Sequence, residues 1–247
     1  MLPRVRNDLK GMSKTVVYVM PSASAAVGQK IAWGDYPFGP DGSNVTGFFL
    51  GGLFYSSMNA FYRDKAFSGE LQDRSAELEK MDIPSMMEVN LHQALSGVTW
   101  LRHVPYKVMQ LHSGKNSIRS LIMHDDSKAT IVVVPKAFIR DDAEVVGIIY
   151  SLTTYTKYYK SRVRIRELDR QTIESSIKIK YPDKYQHFNI LTAPTTSAAA
   201  LRLQYLFSSQ GEVLDNALKV STQRAGWKIT CYLAESCAHH SESEFGM

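Results

Sequence analysis

Cysteine is nearly absent from this sequence. Only Cys231 and Cys237 occur, too few for a disulfide scaffold. Six positions apart, they fall on different faces of any helix carrying both, which argues against their pairing. With His239 and His240 they make four candidate ligands, but the spacing fits no zinc pattern, so no metal is expected. An uninterrupted apolar run of membrane-spanning length is also missing. The nearest approach, residues 42–62, carries no charge and includes Gly47-Phe48-Phe49-Leu50-Gly51-Gly52. Ser43, Asn44, Thr46, Ser56, Ser57 and Asn59 dilute it, so it reads as a buried core helix over about 45–63, without membrane insertion.

Catalytic signatures are lacking too. His92, His103, His112, His124 and His187 form no H-E-x-x-H, and no serine sits in a G-x-S-x-G elbow. The glycines fit neither a P-loop nor a G-x-G-x-x-G turn, and Phe48, Phe49 and Leu50 would hinder a phosphate. His124-Asp125-Asp126 reads as an acidic turn before a strand. No catalytic residue and no cofactor are therefore assigned. An enzyme whose site is assembled from distant residues stays open as the third reading.

What is present is an ordinary globular composition, 44% hydrophobic and 21% charged over 247 residues. That is enough apolar mass for a sizeable core. No interior linker interrupts it, so one domain over 1–247 is expected, with loose ends at 1–13 and 236–247. Arg4, Arg6, Lys10 and Lys14, then a short apolar run at 15–20 and small residues at 21–26, resemble a signal peptide. The run is short for one and contains Tyr18, so a core strand is the preferred reading. Ser85 and Glu88 have capping-box spacing, opening a helix whose apolar positions, Met86, Val89, Leu91, Ala94 and Leu95, suit partial burial and which ends near Gly97. Residues 71–81, 118–123 and 197–207 read as further helices. Residues 98–101 and 106–109 read as short strands.

Residues 130–135 form an apolar run suited to a strand buried on both faces. A turn at 140–142 leads into a second strand at 145–155. The alternations at 162–166 and 176–180 read as two more strands, with Val163, Ile165, Ile177 and Ile179 inward. The expected fold is thus α+β, an antiparallel four-stranded meander over about 130–181 packed with N-terminal and C-terminal helices. Residues 211–233 place Leu214, Leu218, Ser221, Ala225, Ile229 and Leu233 on one helical stripe, with a bend or early stop at Gly226.

The expected hairpin is basic. Arg162, Arg164 and Arg166 would line one strand face and Lys178 and Lys180 the same face of its neighbour, with Tyr155, Lys157, Tyr158, Tyr159 and Lys160 just upstream. Arginines beside exposed aromatics grip phosphates and stack bases. A solvated strand face whose charges discourage edge-to-edge aggregation accounts for the same residues. The net charge of +5 favours anionic partners without naming one.

The order of an early strand ending at Pro21, a glycine-rich apolar helix, a strand meander and a long final helix resembles that of some uncharacterised bacterial cell-envelope proteins. The resemblance implies a non-enzymatic structural, assembly or scaffold protein of an envelope complex, located in the periplasm or envelope, with a protein partner or homo-oligomer. Nucleic acid or another polyanion, held by the basic hairpin, is the alternative partner class.

Overall fold

The computed structural model describes residues 8–20, 27–30, 73–110, 118–140, 143–159, 163–182 and 196–234. The chain is mixed α+β. Among the described residues one sheet holds six strands: β1 (Lys14–Met20), β2 (Val27–Lys30), β3 (Tyr106–Gln110), β4 (Ala129–Arg140), β5 (Val145–Tyr159) and β6 (Val163–Lys178). The helices are α1 (Ser75–Lys80), α2 (Ile83–Ser96), α3 (Ile118–His124), α4 (Thr196–Leu206) and α5 (Ser208–Leu233).

Strand order is β3-β1-β4-β5-β6, with β2 following β1 along the same side of β4. β1 runs parallel to β3 and β4, and β2 parallel to β4, whereas β4, β5 and β6 are antiparallel. β4 is therefore central, and its continuous apolar run is the residue pattern of a strand covered on both faces. Pro135 lies within it, but β1 pairs with 129–133 and β2 with 137–140. The proline thus falls between them, where its missing N–H removes no ladder bond on that side.

The antiparallel part has three strands, not the expected four. The alternations at 162–166 and 176–180 belong to the single strand β6, and the polar stretch between them continues it. An edge strand tolerates charged residues that a central strand would exclude. Residues 98–101 are consecutive turns rather than a strand, with Val98 and Leu101 buried. The capping box at Ser85 and Glu88 does not form. α2 begins earlier, at Ile83 with Pro84 in its first turn, after Asp82 in a left-handed conformation. In α2 Met87 is buried and Val89 is exposed.

Alternate residues of β1 serve two cores. Val16 and Tyr18 join the larger one, formed with α2 and α5; Val17 and Val19 join a smaller one with Ile122 of α3 and Val132. Two sheet tyrosines fasten α2: Tyr18 donates to the Pro84 carbonyl at 3.0 Å and Tyr150 to that of Met87 at 2.9 Å. Burial pushes both phenols well above their ordinary range. The α5 stripe lies as its spacing demands, with Leu214, Leu218, Ser221, Ala225, Ile229 and Leu233 all buried. Gly226 neither bends nor stops the helix. It faces α2, where a Cβ would stand 3.5 Å from Ala94 Cβ, an ordinary contact. The break comes instead at Ser209, Gln210 and Gly211, all at positive φ.

Within residues 8–13, expected as part of a loose end, two points are anchored. Leu9 is fully buried, and the Ser13 carbonyl accepts bonds from the Lys128 and Ala129 amides. Cys231, in the last turn of α5, is disulfide-bonded, contrary to the expectation that the cysteines stay unpaired. α5 ends at Leu233, so the argument from two cysteines sharing a helix does not apply. The apolar helix expected over 45–63 lies outside the described residues.

Candidate docking surface on the β5–β6 ribbon

β4 and β5 pair from Ile139↔Val146 to Ala129↔Thr156. β5 and β6 continue beyond that point through Lys157↔Ile165, Tyr158↔Arg164 and Tyr159↔Val163. These rungs extend past the end of β4 as a two-stranded ribbon. Its connection, with Arg162, lies outside the described residues.

One irregularity decides which residues share a face. Thr154 pairs with Asp169 but Tyr155 with Glu167, leaving Leu168 as an extra residue in β6. Such a bulge reverses the inward–outward alternation of everything beyond it. On one side of it, Ile173, Ser175 and Ile177 are buried, set opposite β5 residues on the α2–α5 face. On the other side, Ile165 turns to the α3 core beside Tyr155. Arg164 and Arg166, opposite Tyr158 and Thr156, share the α2–α5 face yet are exposed there. Tyr158 is 39% exposed.

Of the five basic residues expected on one face, the described ones are therefore divided. Lys178 pairs with Val145, on the face opposite Arg164 and Arg166, and a dozen positions on, roughly 40 Å along an extended strand. It is 3.5 Å from Glu144, which also takes Arg202 at 3.0 Å and Arg140 at 3.6 Å. Arg202 in turn lies over the Tyr181 ring. The Lys178 charge thus belongs to a cluster closing the β4–β5 turn. Lys180 is exposed just beyond β6. Nearer the ribbon, Arg170 is engaged with Glu167 at 2.8 Å.

At the root of the ribbon sits a polar knot that the sequence pattern passed over as an acidic turn. Asp126 is exposed, but Asp125 is buried. Its carboxylate accepts from Lys107 Nζ at 2.7 Å, Thr130 Oγ1 at 3.4 Å, Thr15 Oγ1 at 3.5 Å and Ser127 Oγ. The Asp125 carbonyl, just past the end of α3, accepts from the buried ammonium of Lys157. A cation there also meets the negative end of the helix dipole. Burial alone would raise the Asp125 carboxyl. The hydrogen bonds from Lys107 and Ser127, the Lys107 charge and the Thr15 bond outweigh it, holding the group below its ordinary value of 3.8. With these bonds the knot ties β1, β3, β4 and β5 together.

His92 packs edge-on against Tyr106, and His124 Nδ1 lies 2.7 Å from the Ser120 carbonyl. Among the described residues, no three His, Cys, Asp or Glu side chains converge as metal ligands, and no helix is long and apolar enough to cross a membrane. The chain matches no protein-family model, and no curated protein is similar to it.

Proposed function

We propose that this chain is a non-enzymatic assembly or scaffold protein of a cell-envelope complex, docking an anionic partner through the β5–β6 ribbon. The observation that carries the reading is where its charge lies. Residues 157–166 contain Lys157, Lys160, Arg162, Arg164 and Arg166 and neither Asp nor Glu. These five equal the formal surplus of the entire chain, +5. Lys157 is turned inward to the Asp125 carbonyl, so Arg164 and Arg166 are the described cations offered outward. A positive projection on an otherwise balanced protein steers an acidic partner and fixes its orientation. The disulfide at Cys231 supports an oxidising compartment such as the envelope.

Nucleic-acid binding is the second reading, favoured by the exposed Tyr158 directly across from Arg164, a pairing suited to base stacking and phosphate contact. One experiment separates the two. The protein is purified natively from its source with and without nuclease, alongside an Arg164→Glu/Arg166→Glu variant. The docking reading expects a stoichiometric protein partner that survives nuclease and is lost from the variant. It also expects loss at about 0.5 M salt, where the screening length falls to roughly 4 Å. A strict monomer with no partner in any preparation refutes it. Co-purifying material that disappears with nuclease moves the assignment to nucleic acid.

A further inference from the structure

Granted the docking role proposed above, the geometry points to the outer edge of β6 between Val163 and Glu167 as the place where an acidic, extended segment of a partner protein adds as a further strand.

β6 is 16 residues long and, among the described residues, pairs with β5 alone. Alternate residues of such a strand turn their N–H and C=O groups away from the sheet, a ready template for an added strand. Part of β6 is engaged by α5. Lys228 donates to the Glu174 carbonyl at 3.0 Å, and the Tyr232 hydroxyl donates to the Asp169 side chain. The extra residue at Leu168 then interrupts the regular ladder, as bulges do at protected edges. Among the described residues the open stretch is the N-terminal one, in the ribbon.

Its two faces specify the occupant. Arg164 and Arg166 are exposed on one, and Val163 and Ile165 are half-buried on the other, where Ile165 already packs beside Tyr155 and Ile118. A second copy of β6 would set arginines against arginines, which cross-strand pairing disfavours. A strand with Glu or Asp at alternate positions would set carboxylates opposite the arginines. Its intervening apolar side chains would extend the small core under α3, by the two-residue period of any strand.

The test uses the full-length chain and three probes followed by fluorescence anisotropy: a short peptide alternating Glu with Val, the same peptide N-methylated at alternate backbone nitrogens, and polyphosphate. The alternating peptide should bind, and N-methylation should weaken it about tenfold or more, because the main chain carries the affinity of strand addition. Arg164→Glu/Arg166→Glu should reject the Glu peptide and accept its Lys counterpart. If N-methylation changes nothing while the peptide and polyphosphate both bind, strand addition is overturned and the anionic docking surface stands. If neither peptide nor polyphosphate binds, both proposals fall.

Discussion

Asp125 offers the sharpest test of how the root of the ribbon is held. In Asp125→Ala the partners are affected unequally. Lys107 is 51% exposed and regains water, so losing its ion pair costs under about 1 kcal/mol. Ser127 retains the Ala129 carbonyl, 2.9 Å away. The Thr130 hydroxyl keeps Ser127 Oγ, 3.4 Å away, but the buried Thr15 hydroxyl loses its acceptor, and an unsatisfied buried hydroxyl costs roughly 1–3 kcal/mol. Partial relaxation puts the total at about 2 kcal/mol. Asp125→Asn keeps the size and one acceptor, and Ser127 can accept from the new amide, so about 1–2 kcal/mol is expected. Lys107→Ala should cost least of the three.

The same network fixes the sign of an acid effect. Asp125 is depressed in the folded chain, so its contribution is complete above its unfolded value of 3.8 and is lost as pH falls through the folded one. Urea unfolding of wild type and Asp125→Asn, at about pH 7 and in steps below pH 4, reads both numbers. The gap between the proteins should narrow on acidification, because the wild-type carboxyl becomes neutral as well. An Asp125→Ala variant within about 0.5 kcal/mol of wild type at neutral pH, or a gap that widens in acid, would refute the reasoning.

Glycines supply two further predictions with opposite signs. A Cβ on Gly147 would lie 2.5 Å from the Phe138 ring and 2.6 Å from the Ser175 carbonyl oxygen; Gly147→Ala should therefore lower stability by about 1–3 kcal/mol in urea unfolding, and a neutral result would contradict the close approach. Gly226→Ala meets only ordinary contacts at 3.5 Å and gains helix propensity, so its thermal midpoint should hold or rise by the equivalent of up to about 1 kcal/mol. Gly226→Leu should lose at least that much by prising α5 from α2. Cys231 should resist alkylation in the native chain until a reductant is added, read by intact-mass spectrometry; alkylation without reductant would remove the disulfide from the support for an envelope location.

The helical half of the fold was legible because one periodicity governs one contact. Every member of the stripe from Leu214 to Leu233 is buried, since the helical period continues unbroken through Gly226. β1 and β4 were equally readable, an apolar run being what a strand covered on both faces requires. Strand ends and helix starts were less so. Ser85 and Glu88 carry capping-box spacing, but Pro84, suited to a first turn, belongs to a helix already under way. Asp125 looked like surface because its partners Thr15, Lys107 and Thr130 come from three strands, and only the assembled sheet brings them to one carboxylate.

The basic surface shows most clearly what a two-residue period conveys. Arg162, Arg164, Arg166, Lys178 and Lys180 all have even numbers, and a regular strand would keep them on one face. The sequence carries the charges and the spacing, but Leu168 shifts the count by one and sends Lys178 to the other side. The bulge also explains how β6 serves two cores of opposite orientation, with Ile173 facing α5 and Ile165 facing α3. A strand without it could bury one of those isoleucines only by exposing the other, or by turning Arg164 and Arg166 into the α3 core. The extra residue therefore accounts at once for the division of the basic residues and for the outward pair Arg164 and Arg166. Deleting Leu168 should cost stability through the α3 core and, in the same step, remove that pair from the face beside Tyr158.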